Sequence, residues 1–135
     1  MNYYETFIAV ADDCPATTGV IPAPRSGRKT VAVVQYELIA EQPYTLTQED
    51  VLFETWRRQQ DPPPAGDPAG LRAGFFAQSR ACLRASPLPK QYGWGLHFDS
   101  AGRVALCAVG SDDYARLSAT NNGTTVLKAM RSRRS

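Results

Sequence analysis

Apolar and polar positions along the chain fall into short blocks whose periods predict alternating strands and helices. Residues 6–11 (TFIAVA) form a brief apolar run closed by Asp12 and Asp13, which reads as a strand. Residues 30–42 (TVAVVQYELIAEQ) carry the strongest strand signal. Alternation would put Ala32, Val34, Tyr36, Leu38 and Ala40 on a core face, with Gln35 and Glu37 as a polar patch on the other. Residues 92–98 and 103–109 read as a hairpin joined by Asp99-Ser-Ala-Gly102. In its first strand Tyr92, Trp94, Leu96 and Phe98 share one face, and Gly93, Gly95 and His97 share the other.

Helices are predicted where the period lengthens. Thr47 with Asp50 three residues on has the spacing of a capping box, and Val51, Leu52 and Trp56 supply a buried stripe. Residues 71–83 form a second helical stretch with Phe75 and Phe76 on one side. Ser111 is placed to cap a short helix through Leu117. Between these lie a loop at 14–29, a proline-rich connector at 61–70 and an irregular segment at 85–91. The expected architecture is α+β: an antiparallel or mixed sheet of four or more strands, with two to three helices packed mainly on one face. Residues 1–118 would form the globular domain. Residues 119–135 would be a basic tail, a short frayed helix or disordered.

Composition sharpens this picture. At 135 residues, with 43% hydrophobic and 21% charged residues, the chain matches one globular domain. Lys128, Arg131, Arg133 and Arg134 carry much of the basicity: without those four, the net charge of +2 would fall to −2. A basic tail on a mildly acidic body argues against nucleic acid as the partner. Cys14, Cys82 and Cys107 are odd in number and lack CxxC spacing, so reduced thiols in a cytosolic protein are expected. No apolar run reaches the length of a membrane span, and the first residues lack the basic start of a signal peptide.

The blocks YETFIAVADDCP, GRKTVAVVQYELI, PYTLTQEDVLFE and CLRASPLPKQYGWGLHFDSAGRVALCAVGSDDY resemble a family of short bacterial and fungal proteins of unknown function. The resemblance covers roughly residues 3–117 and implies a single domain. It brings no activity, cofactor or site residue with it.

Candidate chemistry concentrates between Arg80 and His97. Arg84 and Lys90, with Ser86 and Tyr92, give cations and hydroxyls suited to a carboxylate or phosphate. Glu37 needs a cation if its strand is central, and Arg80, Arg84 or Lys90 are within reach of that role. The bare strip of Gly93 and Gly95 beside His97 invites close approach by a ligand, or by Trp56 or Phe76 of the same domain. These features favour a small binding or regulatory domain that holds an anionic small molecule or acidic partner through Glu37, Arg84, Ser86, Lys90, Tyr92 and His97. Two alternatives stand beside it: a small enzyme using Cys82 or His97 for nucleophilic or acid–base work, and a homo-oligomer with a sheet edge or aromatic face as its interface. One histidine cannot build a multi-histidine metal site, and no glycine-rich phosphate loop is present, so no metal or cofactor is expected.

Overall fold

A computed structural model describes residues 2–119 and 123–132. Its sheet is mixed and four-stranded, in the order β3-β2-β1-β4. Strand β1 (Thr6–Ala9) is central and buried along its whole length. It pairs antiparallel with β2 (Trp94–Phe98), placing Phe7 opposite His97 and Ile8 opposite Leu96. The expected hairpin forms between β2 and β3 (Val104–Ala108), with Gly95 opposite Cys107. Asp99 closes its turn by accepting the N–H groups of Ala101 and Arg103, both at 2.9 Å, which is an Asx turn.

The fourth strand corrects the reading of the C-terminus. Thr125–Lys128 is β4, parallel to β1, where a frayed helix or disordered tail was expected. Ala129 beyond it is buried in the core, and Lys128 pairs with Asp12 at 2.6 Å. The basic charge at Lys128 therefore belongs to the folded body. Arg133 and Arg134 of the expected tail lie outside the described residues.

The larger correction concerns residues 30–42. They form helix α1 (Val31–Glu41), not a strand. Thr30 caps it, its hydroxyl accepting the Val33 N–H at 3.4 Å. Buried positions run through Ala32, Val33, Val34, Gln35, Leu38 and Ile39, an arc too wide for a one-faced strand. Helix α2 (Gln48–Gln59) follows with the expected capping box: Thr47 and Asp50 exchange bonds at 3.0 and 3.3 Å, and Arg72 adds an ion pair to Asp50 at 2.7 Å. Burial would raise the Asp50 carboxyl, but the Thr47 N–H and the Arg72 guanidinium outweigh it and hold the group below its ordinary range.

Helix α3 (Pro68–Phe76) is shorter and begins earlier than predicted, started by Asp67 as N-cap and Pro68 in the first turn. The segment read as irregular holds a 3₁₀ turn, Leu83–Ala85, and helix α4 (Pro87–Gln91), capped by Ser86. Helix α5 (Asp112–Ser118) starts at Ser111 as expected. Five α-helices among the described residues exceed the two or three predicted.

Strand alternation sorts them into two layers. Ile8, Leu96 and Phe98 face a core built with Ala32, Ile39, Val51, Leu83 and Leu88, from α1, α2, the 3₁₀ turn and α4. Phe7, Ala9 and Cys107 face the other way, against Leu117 and Tyr114 of α5. So the helices lie mainly, not wholly, on one face.

Candidate functional site

The six residues singled out from sequence do not converge. Glu37 projects from α1 and pairs with Lys29 at 2.9 Å, not with Arg80, Arg84 or Lys90. Arg84 turns toward β4, where its Nε donates to the Lys128 carbonyl at 2.9 Å. Lys90 sits in the last turn of α4, the helix end that favours a cation. Tyr92 caps that helix, its ring packed on the main core and its carbonyl accepting the Val20 N–H at 2.8 Å. His97 lies on the α5 side of the sheet, since β2 alternates and Leu96 and Phe98 face the main core. Its Nδ1 is 2.8 Å from the Tyr44 hydroxyl, and burial lowers its pKa, favouring the neutral imidazole. A site combining Glu37, Arg84 and His97 is ruled out by this geometry. The same separation removes His97 as a base for Cys82.

The glycine strip is filled from within. A Cβ on Gly95 would sit 2.5 Å from the Phe7 ring, and one on Gly93 would overlap the carbonyl of Thr18. Trp56 instead stacks with Phe53 and Phe75, and Arg80 lies 3.9 Å over the Phe75 ring.

Ser86 alone of the six enters a cavity with chemistry in it. This cavity, about 200 Å³, opens between the first half of α1, Leu52 of α2 and residues 81–87. Val31, Leu52, Leu83 and Pro87 give it apolar walls; Gln35, Cys82 and Ser86 give it polar groups, and none of its lining residues is charged. Ser86 is 4% exposed and accepts the Leu88 N–H at 3.2 Å, while its own O–H donates to Gln35 Oε1 at 2.6 Å. That distance suits O–H···O and is short for N–H···O, which fixes the amide orientation. Gln35, also 4% exposed, is thus left with an Nε2 that has no partner among the described residues. No buried side-chain nitrogen among the described residues lacks a partner, so this NH₂ is open to solvent, on a residue that lines the cavity. Gln48, 1% exposed, props the opposite wall by accepting the Leu83 N–H at 2.7 Å.

Cys82 reaches the same space. Its sulfur accepts the Tyr3 hydroxyl at 3.4 Å. Burial first, then the hydrogen bond to Cys82, pushes the Tyr3 phenol up to about 12, so at neutral pH it stays a donor.

Sequence reasoning passed over Gln35 as a site residue because a strand reading paired it with Glu37. Read as a helix, Val31 and Gln35 share a stripe four residues apart and Glu37 falls outside it. The Thr30 cap was the available signal.

A second cleft, about 490 Å³, lies where the 14–29 loop meets the end of α2, lined by Arg28, Lys29, Arg58 and Asp61 among others. Arg25 and Arg28 close a two-residue turn with positive φ at Ser26 and Gly27. The Arg28 guanidinium has no partner among the described residues. Among those residues, no three His, Cys, Asp or Glu side chains are grouped to hold a metal, and no helix is long and apolar enough to cross a membrane.

A family profile described as of unknown function, DUF6157, matches residues 1–135. No curated protein and no solved structure matches the chain at a significant level.

Proposed function

The chain belongs to that family of unknown function, so its activity has to be read from its own cavities, and we propose that it is a small-molecule-binding domain for a compact, largely apolar ligand with one carbonyl acceptor. The observation that carries this reading is the unpaired amide of Gln35 in a side chain 4% exposed. That NH₂ is open to solvent, so a ligand carbonyl placed against it would replace a hydrogen bond to water, for a net gain of about 0.5–1.5 kcal/mol. Apolar walls supply the remaining affinity through burial. At about 30 Å³ per water, the space corresponds to roughly six or seven waters, which bounds the ligand to a fragment. With no cation in the lining, an uncharged acceptor suits it better than a carboxylate.

Saturation-transfer NMR with 2-pentanone and pentanoate tests this. The ketone should bind with a Kd on the order of 1 mM, and pentanoate at least tenfold more weakly. Gln35→Leu combined with Ser86→Ala removes both members of the buried pair, at the cost of the Ser86 cap on α4, about 1 kcal/mol. It should weaken the ketone at least tenfold. Equal ketone affinity in that variant, with its melting transition intact, would defeat the reading.

A second reading, which keeps the anionic ligand expected from sequence, is supported by Arg28, Lys29 and Arg58 around one cleft. Here Arg28 supplies a guanidinium with no ion pair among the described residues, whereas Lys29 pairs with Glu37 and Arg58 with Glu54, and Asp61 is the one acid in the lining. Titration with inorganic phosphate, followed by NMR, should give saturable shifts at Arg28 that weaken at least tenfold in Arg28→Glu. They should also weaken as salt rises from about 0.01 M to 0.15 M, where the screening length falls from roughly 30 to 8 Å. Shifts indifferent to Arg28→Glu would exclude this cleft.

A further inference from the structure

Three thiols are present, and their surroundings differ. Cys107 is buried, its sulfur 3.7 Å from the Ser111 hydroxyl, and burial pushes its thiol up. Cys14 turns to the Ala16 carbonyl at 3.9 Å. Cys82 shares an apolar cavity with an unpaired amide donor and accepts a hydrogen bond from a phenol.

We propose that Cys82 is a reversible covalent attachment point for a small aliphatic aldehyde whose carbonyl oxygen is held by the Gln35 amide. This extends, and rests on, the carbonyl-binding reading of the same cavity. The two groups are what addition to a carbonyl requires: a nucleophile on one side of the carbon and a hydrogen-bond donor for the oxygen on which charge develops. In the step, a sulfur lone pair forms an S–C bond to the carbonyl carbon. The C=O π bond breaks onto oxygen, and the thiol proton ends on that oxygen by way of solvent. The product is a hemithioacetal; nothing is oxidised or reduced, and reversal returns the aldehyde.

Tyr3 is a positioning residue. Its hydroxyl donates to the Cys82 sulfur at 3.4 Å and so holds the sulfur in place beside the cavity. The Gln35 amide is pre-aimed because the Ser86 hydroxyl holds its oxygen, and no reorganisation is needed when charge appears. His97, on the far face of the sheet, takes no part.

The test uses the whole chain and [1-¹³C]butanal, observed by ¹³C NMR. Wild type should give a tetrahedral-carbon resonance with the linewidth of the protein, distinct from the narrow line of free hydrate, and lost on dialysis. Prior alkylation of Cys82 by iodoacetamide, located by peptide mass spectrometry, should abolish it, as should Cys82→Ser. Gln35→Leu should reduce adduct occupancy at least tenfold at fixed butanal concentration. Tyr3→Phe should lower adduct occupancy at fixed butanal concentration while leaving 2-pentanone affinity unchanged, a split that a merely structural role would not produce. Should Cys82→Ser fail to fold, the alkylated wild type gives the same comparison. An adduct that survives Cys82 alkylation, or one indifferent to Gln35→Leu, overturns the proposal. If 2-pentanone binds in a Gln35-dependent way but no adduct forms, the covalent step is wrong and the cavity reading stands. If neither occurs, both fall.

Discussion

Gly93→Ala is expected to destabilise the protein by about 3 kcal/mol, lowering its melting temperature by roughly 10 °C. Two costs combine. The residue sits at φ +77°, where an L side chain costs about 1–2 kcal/mol. Its Cβ would also overlap the carbonyl of Thr18, a backbone atom that cannot rotate away, and would crowd the Ala16 side chain at 3.1 Å. The 14–29 loop must then lift. Lifting breaks the Val20 N–H bond to the Tyr92 carbonyl and the Trp94 Nε1–H bond to the Val20 carbonyl, each 2.8 Å and each worth about 1 kcal/mol. Gly27→Ala separates the two costs: Gly27 has φ +73° with nothing near its missing Cβ, so only the conformational penalty of about 1 kcal/mol applies. Urea denaturation of both variants gives the comparison. Equal losses would mean that the loop does not seat on the start of β2 as described.

That loop also shows where sequence stops being informative. Its lack of period was legible, and so was its punctuation, but its docking on Tyr92 and Trp94 joins residues more than seventy positions apart. Local signatures fared better. Thr47 with Asp50, Ser111 before two acids, and Asp99 before Gly102 each act within four residues, so spacing alone predicts the caps and the turn. The hairpin was legible because one face of β2 meets the core while the other carries Gly95 and His97.

Helix α1 was not legible for a physical reason. Core contacts reach it over a broad arc, from Ala32 and Val33 round to Leu38 and Ile39, so both the two-residue and the 3.6-residue period find apolar partners. β-branched Val31, Val33 and Val34 then tilt the reading toward strand, and tertiary packing overrides that preference. In α4, the Ser86-Pro87 pair was a helix start signal hidden by a second proline, which a first turn tolerates because its N–H groups have no intrahelical partner. Strand β4 is four residues long and pairs with β1 across nearly the whole chain, so nothing local marks it. The candidate site followed the same rule. Ser86 and Cys82 were visible as chemistry, but Gln35 gained its role only when α1 proved helical and brought its amide beside them.

Truncation of Phe7 to alanine should cost about 3–5 kcal/mol, the usual range for a ring deleted from a close-packed core. Phe7 lies on the central strand, fully buried, with its ring over Gly95 and edge-to-face with Tyr114 at 5.1 Å. The reverse change, Gly95→Ala, places a methyl group 2.5 Å from Phe7 Cζ and 3.1 Å from the Tyr114 ring. Neither ring can retreat into solvent without opening the α5 layer, so this variant should lose about 1–3 kcal/mol. In the double variant the new methyl enters space the Phe7 ring has left. Its loss should therefore fall short of the summed single losses by about 1–3 kcal/mol, read from urea midpoints at unchanged m-value. Additivity within about 0.5 kcal/mol would mean that the ring does not pack on the glycine. Gly95 faces α5 while the Gln35 cavity lies among the helices across the sheet, so the folded fraction of each variant should bind 2-pentanone as wild type does. The glycine strip is thus a packing device for the second layer, and the ligand chemistry belongs to the first.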